Sequence, residues 1–160
     1  MTPTIADIIN TIKTNHEEFG ITLYDEATDF DIAEFEKNKL VLPQDIKAFY
    51  KFSNGFYSKE DMFRIIPLDE VISNGCDNYI EGEYAFHIAE YMIYCDMWTL
   101  SINPKDKNVY TIYNKTNELV ILTNSFAEFL ERFLSGGVFK GLYDWREQII
   151  SNRKPTANNT

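Results

Sequence analysis

Two histidines, two cysteines and 25 acidic side chains carry what polar chemistry this chain could perform. Nucleophilic catalysis needs Ser or Cys beside His, with an acid to orient the ring. His87 lies in the strand-like run "AFHIAE", between Phe86 and Ile88, and reads as a structural or surface residue. His16 stands beside Glu17 near a helix end, where its charge suits the dipole. Cys76 and Cys95 are too far apart for a CxxC redox or zinc motif, and read as buried or half-buried free thiols. Nothing in the pattern supports pairing Cys95 with His87. The dense run "DEATDFD" (Asp25–Asp31) lacks the alternating ligands, central glycine and terminal glutamate of a calcium loop. Glu81 and Glu83 read as solvated carboxylates rather than a glycosidase pair. Neither GxxxxGK[ST] nor GxGxxG is present. The expectation is a non-enzyme with no catalytic residue, no metal and no cofactor.

What remains is surface charge. Net charge is −10 over 160 residues. Residues 17–36 hold eight acids and no Lys or Arg; residues 60–96 hold nine acids against Arg64 alone. From Met97 onward eight basic residues face six acids. An acidic surface repels phosphate backbones, which disfavours nucleic acid, and attracts a basic partner. No apolar run reaches the roughly 18–20 residues of a membrane span. The start "MTPTIADIIN" lacks a secretory layout, so a cytoplasmic location is expected.

The elements that must position these side chains are legible in outline. Thr4 with Asp7 makes a capping-box start, and Ile5, Ile8, Ile9 and Ile12 share one helical face. "ITLYDEATDF" reads as a connector with extended character. A second helix is expected from Asp31, with Glu34 as reciprocal cap and Ile32 and Phe35 buried. In "LPQDIKAFYKFSNGF", Pro43 suits a first helical turn, and Asp45 complements the dipole. Leu42, Ile46, Phe49 and Tyr50 form its apolar stripe, Asn54-Gly55 supplies a left-handed stop, and Phe56 folds back.

After that the period changes. "MFRIIPL" reads as a short strand, and "LDEVI" as a helical turn or loop. "YAFHIAEYM", "YCDMWTLSI", "NVYTIYN" and "ELVILT" read as strands, joined by turns at Asn103–Asn108 and Asn114–Asn117. Short turns imply antiparallel pairing. A helix returns with Ser125 and Glu128 as a capping box; Phe126, Phe129, Leu130, Phe133 and Leu134 form its stripe, and Gly136-Gly137 its end. A last helical piece is expected within Val138–Ser151. The fold class is α+β: one domain over residues 1–152, a central antiparallel sheet of about four to six strands, and N- and C-terminal helices packed on it. Residues 153–160 read as a polar, disordered tail.

Phe35 and Glu36, then Leu42-Pro43, Phe49 and Asn54-Gly55, followed by Trp98, Val109-Tyr110, Ser125 and Phe129, resemble in order and spacing the SUKH superfamily. This is the family of the fungal Smi/Knr cell-wall glucan synthesis regulators and many bacterial relatives. The resemblance covers about Asp31 to Leu134; residues 68–85 match only loosely. It implies a role more than a reaction. Bacterial members look like immunity proteins that neutralise secreted polymorphic toxins by binding them; fungal members act as scaffolds in cell-wall integrity signalling. The Asn-, Ile-, Tyr- and Lys-rich composition favours the bacterial branch. The expected partner is a basic toxin domain, met by a monomer or weak homodimer, with neither nucleic acid nor membrane involved. Candidate contacts are Asp25, Glu26, Asp29, Glu81, Glu83, Tyr84, Tyr91 and Tyr94, because interfaces are enriched in Tyr. Regulation of cell-wall synthesis is the alternative role.

Overall fold

A capping box at Thr4 and Asp7, formed as the sequence predicts, opens helix α1 (Ile5–Asn15). In the computed structural model, which describes residues 2–73 and 84–153, the chain continues through β1 (Ile21–Leu23), α2 (Asp29–Asn38) and α3 (Gln44–Phe52). Then come β2 (Phe56–Ser58), β3 (Phe63–Ile65), α4 (Leu68–Ser73), β4 (Ala85–Tyr91), β5 (Asp96–Asn103), β6 (Asp106–Asn114) and β7 (Val120–Thr123). Helix α5 (Phe126–Gly136), a π-helical segment (Gly137–Tyr143) and α6 (Asp144–Arg153) close the fold. The strands pair antiparallel in sequence order as one seven-stranded sheet. No helix among the described residues is long and apolar enough to cross a membrane.

The sheet has one strand more than the upper expectation. Two strands lie outside the five runs read as strands: β1, inside what reads as a connector, and β2, where Phe56 is expected only to fold back on α3. Three residues suffice for each, because Leu23, Thr22 and Ile21 register against Phe56, Tyr57 and Ser58, and these in turn against Ile65, Arg64 and Phe63. Helix α2 begins two residues earlier than expected. Thr28 caps it with Asp31 as the reciprocal partner, so Glu34 is not the cap. Pro43 precedes α3 as an extended residue instead of joining its first turn. The Gln44 amide there donates to Asn108 Oδ1 at 2.9 Å, a cap supplied by the β5–β6 hairpin. Extended Ser53 ends α3, and only Gly55 (φ +97°) is left-handed. Ser125 caps α5, but Glu128 accepts from Thr123 Oγ1, so the box is not reciprocal. At Gly136-Gly137 the chain widens into the π-helical segment and runs on as helix.

The core lies between the helices and one sheet face. Phe49 of α3 meets Phe126 of α5 edge-on at 5.2 Å, and Phe63 of β3 stacks on Phe133 at 4.2 Å. Trp98 packs against Phe63 and Phe129, and Phe35 against Phe86. Such pairs add directional contact to the transfer term. Trp145 is buried as well, with the Arg132 guanidinium over its ring. The motif residues are framework. Glu36 Oε2 accepts from the Leu42 amide at 2.9 Å and pairs with Lys47, splinting α2 to α3. Asn54 Oδ1 accepts from the Leu68 amide and its amide group donates to Asp69, tying the end of α3 to α4.

Candidate protein-binding face

Strand register puts Thr22, Tyr57, Arg64, Glu90 and Met97 side by side across β1–β5. These alternate with the core residues Phe56, Phe63 and Trp98, so they lie on the sheet face opposite the main helices. Arg64 is the hub. Its Nε donates to buried Glu90 at 2.9 Å, and its terminal nitrogens donate to Glu70 of α4. The Tyr94 hydroxyl donates to the same Glu70, and the guanidinium stands 5.8 Å from the Tyr94 ring. Hydrogen bonds from Arg64 to Glu70, then to Glu90, hold its proton more tightly than usual against the opposing effect of burial. The guanidinium is a fixed positive charge already shared between two carboxylates.

On one side of Arg64 a cleft of about 450 Å³ is lined by Tyr24, Asp25, Glu26, Asp31, Asn54, Pro67, Asp69 and Glu70. Five of these are carboxylates, and Arg64 is the sole basic residue among the lining groups. On the other side a hollow of about 200 Å³ is lined by Tyr57, Met62, Arg64, Glu90 and Ile93. The chain thus joins an acidic cleft to an apolar rim through one arginine.

Asp25 and Glu26, expected from sequence, line this cleft, and Tyr94 belongs to its Arg64 hub. Asp29 is exposed at the start of α2 but does not line it. Tyr84 lies elsewhere, in a cleft of about 610 Å³ with Glu36, Lys39, Lys105 and Lys107. Tyr91 faces the helix side, edge-on to Phe139 and Tyr143. Glu81, Glu83 and Cys76 lie outside the described residues, as do residues 154–160 of the expected tail and most of the loosely matching 68–85 stretch. Asp31, Asp69 and Glu70 lie within the two acidic stretches expected to meet a basic partner but are not singled out by sequence reasoning, and Met62 and Ile93 are not expected at the site. The available signal was Arg64, the single base in an acidic stretch.

His87 and Cys95 share a hollow of about 370 Å³ with Asp96. Cys95 is exposed, contrary to the buried or half-buried thiol expected. His87 is buried, with Nδ1 2.8 Å from Thr99 Oγ1. The Asp96 carboxylate accepts from Asn114, Thr116 and Tyr143. Among the described residues no group of three His, Cys, Asp or Glu side chains could hold a metal ion.

The family described as SMI1 / KNR4 family (SUKH-1) matches residues 26–132, which take in the Arg64 hub and the acidic cleft apart from Tyr24 and Asp25. No curated protein matches the chain.

Proposed function

The chain belongs to the SMI1 / KNR4 family (SUKH-1), and from this we propose that it is a non-catalytic protein-binding domain, acting in the cytoplasm as an immunity protein that neutralises a cognate bacterial polymorphic toxin by occluding it. The acidic cleft beside Arg64 is the observation that carries this reading. Its lining groups hold five carboxylates and one arginine, and Arg64 is itself bound to Glu70 and Glu90. Such a surface steers a basic protein and rejects nucleic acid or an anionic bilayer. Steric cover of the toxin's active site is then sufficient, and no cofactor is required. A scaffold or regulator of cell-wall synthesis is the second reading, favoured by the same family membership.

Affinity capture from the source cell, with the full tagged chain as bait, separates the two. Mass spectrometry of eluates at low and high salt should find one basic toxin-like chain, retained at low salt and weakened at high salt. Envelope-synthesis proteins in its place would establish the regulator. A salt-insensitive association rate with the purified partner would remove the acidic cleft from the account.

A further inference from the structure

We propose that the β4–β5 turn at Met92–Cys95, buttressed by Met62, is an apolar anchor that inserts into a basic protein partner, while the adjoining acidic cleft seats a Lys or Arg of the same partner. This rests on the protein-binding reading and adds to it a place and a mode of docking. Ile93 is 83% exposed at the tip, flanked by Met62 at 43% and Met92 at 39%. Three large apolar side chains gathered at one sheet end form a patch, unlike scattered single ones.

The tip is held rigidly. The Met92 amide donates to the Met62 carbonyl at 2.9 Å, joining the β2–β3 and β4–β5 turns. Met92, Ile93 and Tyr94 stand consecutively in the left-handed region (φ 52°, 53° and 63°), as does Met62 (φ 51°). A β-branched residue such as Ile93 is an outlier there. The conformation persists because the Tyr94 amide donates to Glu90 and its hydroxyl to Glu70. Both carboxylates are the partners of Arg64, so the hub that bounds the cleft also sets the tip. An anchor ordered before contact loses little entropy on binding.

Charge selects the occupant. A second copy docked cleft to cleft would bring five more carboxylates to the same place, and an anionic membrane would be repelled. A basic protein offers both a cation for the cleft and apolar surface for Ile93. The hollow bounded by Met62 and Ile93 reaches Arg64 from one side and the cleft reaches it from the other, so the two contacts adjoin at that arginine.

The test uses the full chain with p-benzoylphenylalanine in place of Ile93 or, as control, in place of Ile121 on edge strand β7, which is 52% exposed. After irradiation in the source cell, the expected result is a covalent adduct at position 93 with one basic protein. With that protein purified, Ile93→Asp should weaken affinity about 10- to 100-fold at unchanged melting temperature, the size of a hot-spot loss. Asp25→Lys with Glu26→Lys should slow association several-fold. An adduct at position 121 with unchanged affinity in Ile93→Asp leaves a binding protein and overturns the anchor. An adduct with a second copy or an acidic protein overturns the choice of partner. No adduct at either position and no captured partner overturns both readings together.

Discussion

The Tyr110 hydroxyl donates to Asp45 and at the same time accepts from the Phe126 amide at 2.8 Å. One phenol on β6 therefore links the first turn of α3 to the first turn of α5, two of the helices that cover the sheet. Phe126 itself is fully buried, so its amide has no access to water. Tyr110→Phe keeps the ring and removes both bonds. The expected loss is about 1–3 kcal/mol of unfolding free energy, read as a lower urea midpoint at constant slope. A change below about 0.5 kcal/mol would show that the bridge contributes little.

The same phenol predicts alkaline instability. Burial, and then the Asp45 carboxylate, push the Tyr110 ionisation above its ordinary range, and burial alone does so for Tyr50, which donates to the Ile66 carbonyl at 2.7 Å. In the unfolded chain both phenols ionise near pH 10. Above that pH the unfolded state binds fewer protons than the folded one, so stability falls as pH rises. Each group contributes a slope of about 1.4 kcal/mol per pH unit until its folded-state ionisation is reached. Urea unfolding at pH 9, 10 and 11 should show this decline, and Tyr110→Phe should flatten it. Tyrosinate absorbance rising fully near pH 10 in the folded protein would contradict it.

Gly55 tests the left-handed exit after α3. Its φ is +97°, and a Cβ built there would lie 2.3 Å from the Ile65 carbonyl oxygen. That neighbour is backbone held in the β2–β3 pairing, which registers Phe56 against Ile65. Gly55→Ala should cost about 1–3 kcal/mol from conformation alone, with the steric clash added. Thermal unfolding reads this directly. Gly20, also left-handed but with open space around it, is the control, and Gly20→Ala should cost less.

Arg64 is expected to matter for stability as well as binding. Arg64→Met leaves buried Glu90 without the guanidinium that pairs with it at 2.9 Å. Breaking such a pair from one side should lower stability by about 3 kcal/mol. Adding Glu90→Met should recover part of the loss, because the uncompensated carboxylate goes with it. A double-mutant cycle by chemical denaturation measures the coupling; strictly additive losses would mean that Arg64 and Glu90 do not act as a pair.

Much of the architecture was readable because its causes are local. The Thr4–Asp7 box and the Ile8/Ile12 stripe depend on residues three or four apart, and both are present. The same holds for the Ser125 cap and the Phe126, Phe129 and Phe133 face of α5. β1 was not readable, because three residues carry little periodic signal and its identity depends on Phe56–Ser58 lying beside it. The start of α3 misled for a similar reason: Pro43 suits a first turn, yet the cap comes from Asn108, 64 residues away.

The binding face divides along the same line. The amino-acid sequence by itself determined an acidic, aromatic-rich α+β chain, the capped helices and the Asp25-Glu26 part of the cleft, since composition, charge and short spacings need no folding to be read. Only the tertiary structure decided that Arg64, Glu70, Glu90 and Tyr94 meet, which of the tyrosines faces the cleft, and that Ile93 stands at the tip. The reason is geometric: ion pairing falls off over a few ångströms, and the distances among these four residues are set by the register of β3 against β4 and the placement of α4.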